Sequence, residues 1–95
     1  MKLDIGARAH SDLAAIARQG SRQFGALASK KYAAGIARAL KAILTVPELA
    51  HVQAGISVPV RIYPVGSHMI LYLVGKDTIR FLRVLHGHQD WQEYL

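Results

Sequence analysis

An α+β domain, with an antiparallel helical hairpin packed on a mainly antiparallel four-stranded sheet, is the fold class this sequence predicts. Three observations predict it. Apolar residues recur at helical spacing between Ala7 and Val46. From Val58 onward the pattern changes to runs of β-branched and aromatic residues. Gly25, Pro47, Gly66 and Gly75 stand where one pattern gives way to the next. With 95 residues the chain makes one domain, 1–95. Its hydrophobic content of 52% suffices for a small core and excludes a disordered polar chain.

The elements follow in order. Lys2 to Ile5 is a short first strand. From Ala7, the residues Leu13, Ile16, Ala17, Gly20 and Phe24 share one helical face, with Arg18 and Arg22 opposite. Gly25 breaks this helix. A second helix runs from Ala26 to Val46, with a stripe of Tyr32, Ile36, Leu40, Ile43 and Leu44 and a basic side of Lys30, Lys31, Arg38 and Lys41. Pro47 ends it, because proline disfavours the helical state in the residue before it. Glu48 to Ser57 is a loop. Val58–Val65, His68–Val74 and Thr78–His86 form a three-stranded antiparallel meander, with turns at Gly66-Ser67 and Gly75-Lys76-Asp77. Asp90 to Leu95 is a short terminal helix or tail.

Alternation along the strands makes both sheet faces apolar. Met69, Leu71 and Leu73 oppose Ile70, Tyr72 and Val74; Ile79, Phe81 and Leu85 oppose Leu82 and Val84. One hairpin covers one face. The other calls for the C-terminal segment, the 48–57 loop or a partner protein, and a partner is the preferred reading.

Net charge is +6 and is concentrated early: residues 1–50 hold eight Lys/Arg and three Asp/Glu, residues 51–95 four and three. A basic surface attracts nucleic acid, anionic membrane or an acidic protein. The absence of cysteine excludes disulfides and thiolate metal sites. The start Met1-Lys2-Leu3-Asp4 has no signal-peptide core, and the longest apolar run, Met69 to Val74, is too short to span a bilayer, so a cytoplasmic protein without membrane attachment is expected. Gly66-Ser67-His68-Met69 looks like the remnant of a cleaved tag, but its internal position marks it as native.

No P-loop, dinucleotide fingerprint or metalloprotease helix is present. His86, His88 and Asp90 fall short of the four ligands a structural zinc favours, so neither metal nor cofactor is expected. Arg61, Arg80 and Arg83 lie on strands, where they either clamp phosphate or carboxylate in a planar fork or pair with Asp77, Asp90 or Glu93. Trp91 and Tyr94 are anchors for the core or for a partner. Tyr63, Tyr72 and Phe81 do not form the aromatic ladder of a single-strand nucleic-acid binder, which ranks a plain nucleic-acid-binding module last.

In element order and in individual residues, the chain resembles the RelE/ParE toxin superfamily over nearly its whole length. Asp12-Leu13 with Ile16 looks like the first-helix pattern, and Pro47-Glu48-Leu49 like the end of the second. Arg61, Pro64-Val65-Gly66 and Ile70-x-Tyr72 are similar to the central strands. Arg83-Val84-Leu85-His86-Gly87 with Gln89-Asp90 looks like the ParE branch, whose members are also known as plasmid stabilisation proteins. That resemblance implies a toxin that inhibits DNA gyrase and is neutralised by a ParD-type antitoxin. The antitoxin's C-terminal segment is disordered until it folds along the toxin. Its N-terminal part binds operator DNA, so the toxin meets DNA only through it. Under this reading Arg61, Arg80, Arg83, His86, His88, Trp91 and Tyr94 are candidate contacts for target or partner. Arg18, Arg22, Lys31, Arg38 and Lys41 are candidates for the antitoxin-facing basic helices. The alternative within the superfamily is a RelE-type nuclease of ribosome-bound message. Met69 stands where RelE-like sequences tend to carry arginine, and Gln53 to Val58 contains no lysine. His88 and Tyr94 as substitutes, with Arg61 and Arg83 on phosphate, leave a thin set for transition-state charge. A toxin that acts by binding, with no catalytic residues, is therefore expected.

Overall fold

A computed structural model describes residues 1–95. It contains strand β1 (Lys2–Ile5), helices α1 (Ala7–Phe24) and α2 (Ala26–Thr45), and strands β2 (Arg61–Val65), β3 (His68–Val74) and β4 (Thr78–His86). Single 3-10 turns at Pro47–Leu49 and Trp91–Tyr94 follow α2 and β4. The sheet order is β1-β4-β3-β2. β1 pairs with β4 in parallel, and the other pairs are antiparallel. The α+β class and the helical hairpin are as the sequence predicts.

Local chemistry accounts for most boundaries. Only Gly25 separates the two helices, and its φ of +86° is open to glycine at little cost. α2 stops at Thr45, two residues before Pro47. The expected strand from Val58 begins instead at Arg61. Pro59 has no N–H for a ladder, and the Val60 N–H folds back onto the Val58 carbonyl at 2.8 Å.

Two cores lie on the two sides of the sheet. The first sits under the helices and is built from Ala9, Ala39, Ile43, Ile70, Tyr72, Ile79, Phe81 and Val84, with Ala50. The second consists of Val60, Met69, Leu71 and Leu85, packed by Ile56, Trp91 and Tyr94. Leu71 and Val60 are fully buried there. The chain's own loop and terminal turn thus close the second face, and no partner is needed to cover it. Each such large side chain contributes about 1.5–3 kcal/mol by leaving water.

The expected alternation along β4 fails at one residue. Leu71 pairs with Arg83, but the next residue, Tyr72, pairs with Phe81. Leu82 is the extra residue of a β-bulge. Ile79, Phe81 and Val84 therefore share the helix side, while Leu82 and Leu85 join the second core. Phe24 also departs from expectation: it is 71% exposed at the hairpin tip, beside Leu27 at 70%.

The edge of β4 is finished by a side chain. β1 ends opposite Phe81, whose carbonyl takes the Gly6 N–H at 2.9 Å. Further along, the Val84 N–H donates to Asp12 Oδ2 at 2.9 Å, so the carboxylate continues the ladder where β1 has stopped. The same carboxylate accepts Arg83 Nε at 2.8 Å and a second guanidinium N–H at 2.9 Å. Arg83 in turn lies 5.4 Å from the centre of the Tyr94 ring. Asp12→Ala is expected to cost about 3 kcal/mol in urea unfolding, because it strands a shielded guanidinium and a backbone N–H. Arg83→Met is expected to cost less, since Asp12 keeps the Val84 N–H.

Candidate functional site

The hairpin leaves an open groove between its helices. One half is apolar, about 240 Å³, and is lined by Leu13, Ile16, Ala17, Ser29, Ala33, Ile36, Ala37 and Leu40. Ala17, Ala33 and Ala37 are exposed in it. Small side chains on both helices keep the channel from filling. The other half, about 450 Å³, opens between the hairpin tip and the β2–β3 turn. It is lined by Gln19, Gly20, Gln23, Phe24, Ala28, Tyr32, Ser67, His68 and His86, and shares Ile16 and Ser29 with the first. Between Leu13 and Pro47 the chain has six Lys/Arg and no Asp or Glu. Apart from Asp12, which is paired with Arg83, the charged Asp, Glu, Lys and Arg residues of both helices are cationic.

Tyr32 sets the wall between the groove and the sheet. Its hydroxyl accepts the Ser67 N–H at 3.1 Å and is hydrogen-bonded to His68 Nδ1. Gly66 makes this possible. Its φ is +57°, and a Cβ there would fall 2.7 Å from the Tyr32 ring. The tag-like Gly-Ser-His-Met run is thus a fitted turn of the fold. Across the ladder His68 is the register partner of His86, with ring centres 5.4 Å apart, and His86 stacks on His88 at 5.0 Å. Burial first, and then the nearby His86, hold the His68 imidazole below its ordinary value of 6.5.

The strand arginines are not brought together. Arg61 donates to the Ala50 carbonyl at 2.6 Å, Arg80 pairs with Asp4 at 2.9 Å on the surface, and Arg83 holds Asp12. The acidic partners are therefore Asp4 and Asp12, not Asp77, Asp90 or Glu93. Hydrogen bonding to Asp12 raises the Arg83 guanidinium above its ordinary value, with burial opposing. Tyr72, the register partner of Arg61, donates to the Pro47 carbonyl at 2.9 Å and accepts the Ala50 N–H at 3.2 Å. Burial raises its phenol above the usual value of 10.0. This pair clamps the chain after α2. Trp91 and Tyr94 pack against the second core. His86 and His88 are exposed, and no group of three or more His, Cys, Asp or Glu side chains is placed to hold a metal. Arg18, Arg22, Lys31, Arg38 and Lys41 are exposed on the hairpin. Sequence reasoning missed the groove itself. The signal lay in Ala33 and Ala37, one turn apart beside the Tyr32–Ile36–Leu40 stripe.

Comparison with known proteins places the chain in a family. A family model described as the ParE toxin of the type II toxin–antitoxin system parDE matches residues 3–91. The chain belongs to the ParE toxin family. In fold, this ParE-family toxin is similar to a solved structure described as the chromosomal ParDE TA system from P. aeruginosa. The TM-score is 0.77 at 22% identity, covering 90% of this chain and 95% of that one. No curated protein matches. No helix is long and apolar enough to cross a membrane.

His68 also makes stability depend on pH. The folded state binds its proton less readily than the unfolded state does, so its contribution is present above pH 6.5. That contribution is lost as pH falls through the lowered value. The melting temperature should drop on going from pH 7.5 to 5.5, and His68→Gln should flatten that dependence. An unchanged slope in the variant would assign the effect to another group.

Proposed function

We propose that this toxin is neutralised by a ParD-type antitoxin whose C-terminal segment folds into the groove between α1 and α2, and that the free toxin inhibits DNA gyrase by binding. The observation that carries the first part is the open apolar channel between basic helices. A segment that orders on binding buries its apolar face there and places acidic side chains against the Lys and Arg of the hairpin. On the second sheet face Val60, Leu71 and Leu85 are buried by the chain itself, and the open cavity there, about 540 Å³, is lined mostly by polar and small residues. Lys31, Arg38 and Lys41 on α2, with Arg18 and Arg22 on α1, are the proposed rim contacts. Arg80, His86 and His88 are exposed and remain the proposed contacts for the target. Arg61, Arg83, Trp91 and Tyr94 would support that surface from beneath. Operator DNA is reached through the antitoxin, and the setting is the cytoplasm.

Action by binding is favoured over nucleic-acid cleavage by the state of the arginines. Arg83 has both arms of its fork on Asp12 and Arg61 is tethered to a backbone carbonyl, which leaves a thin set of cations for a phosphorane-like transition state. Purified toxin is expected to inhibit gyrase supercoiling, and added antitoxin to restore it. Cleavage of ribosome-bound message with supercoiling unaffected would transfer the protein to the RelE mode of action. Ala37→Glu puts a carboxylate in the channel at an exposed helical position. It should weaken antitoxin binding at least about tenfold in calorimetry while leaving the melting temperature within a few degrees. Unchanged affinity would move the antitoxin to another surface.

A further inference from the structure

The groove is of one piece in shape but not in chemistry. Its inner half is apolar, and its outer half ends at His68 and His86. Those two imidazoles belong to different strands, face each other across the ladder, and border one 450 Å³ cavity large enough for a side chain or a small organic group. The β2–β3 turn and Tyr32 hold His68 in place from one side. The titratable groups facing the pair are Tyr32 from α2 and His88 from the turn after β4. No acidic side chain lines the cavity, and no Lys or Arg does so either. A cavity whose only ionisable walls are imidazole and phenol, set within a hairpin that carries seven Lys/Arg and one acid, Asp12, already paired with Arg83, complements a single negative charge on a planar group.

We propose that the histidine end of the groove is a carboxylate-binding site, occupied by an acidic side chain of the antitoxin segment, which makes antitoxin binding proton-linked. This rests on the reading of the groove as the antitoxin seat and adds its regulation. A carboxylate between His68 and His86 offsets the repulsion that two neighbouring imidazolium rings otherwise feel. The imidazoles are then more basic in the complex than in the free toxin. Affinity gained in this way is fully present at pH below the free value, which for His68 lies under 6.5. It is lost as pH rises through the bound value. Acidification thus tightens neutralisation, while it loosens the free toxin. The two effects have one origin, the shielded imidazole of His68.

The test uses the full chain, isotopically labelled, with the His68 and His86 ring resonances followed through a pH titration. Sodium benzoate serves as the carboxylate probe and benzamide as its uncharged twin. Benzoate should raise at least one of the two midpoints by about half a unit or more, and benzamide should leave both in place. Equal behaviour of the two probes overturns the site. In parallel, calorimetry with the antitoxin encoded beside this toxin should show about fivefold tighter binding near pH 6 than near pH 8, with proton uptake. His86→Gln should reduce that dependence. Antitoxin binding that is indifferent to pH overturns the carboxylate site and leaves the groove reading standing. A benzoate-specific shift without antitoxin binding supports the site and overturns the groove reading instead.

Discussion

One carboxylate organises this fold. Asp12 sits on α1, yet its oxygens finish the ladder of β4 and fix the guanidinium of Arg83. Strand β1 is only four residues long and stops before β4 does. Without Asp12, the second half of β4 would present an unpaired edge under the first helix. Arg83 then carries the constraint to the other side of the sheet through Tyr94. Helix, strand and terminal turn are thus tied through residues 71 positions apart in the chain. The pairing is shielded but not wholly buried, at 17% and 15% side-chain exposure, so part of the desolvation cost of an interior ion pair is avoided.

A second clamp works on the same principle. Arg61 and Tyr72 face each other across the β2–β3 ladder and both hold the segment from Pro47 to Ala50. Five of the residues that make the chain look like its family lie in these two clamps. Asp12, Pro47, Arg61, Tyr72 and Arg83 preserve the architecture. The groove between the helices, where partner recognition is proposed, is lined by Leu13 and Ile16 of the first-helix pattern together with alanines that carry no signature.

This explains what could be read from the sequence. Helical spacing, Gly25, Pro47 and the turn residues sufficed for the elements and their order, because each reflects a local steric rule. Three features escaped because they depend on distant parts of the chain. The bulge at Leu82 is invisible to a period-two count. Closure of the second sheet face depends on the path of residues 50–60 and on where Trp91 falls. The partner of Arg83 lies on the opposite end of the sequence, while nearer carboxylates at Asp77, Asp90 and Glu93 were the natural guesses. Of the candidate site, the basic helix faces were legible as charge. The cavity beside His68 was not, since it arises where four separate elements meet.

Leu82 has a consequence of its own. It is one residue too many for strict alternation, and everything after it in β4 is set by that surplus. Its side chain makes ordinary apolar contacts that other hydrophobic residues can supply. Its removal would bring Arg83 directly after Phe81 and leave a regular ladder in which Val84 keeps the helix side and Leu85 the second core. At this position the strand tolerates both a change of composition and the loss of one residue. A further inserted residue that the ladder does not bulge out would instead exchange the two faces for the whole C-terminal end of the strand.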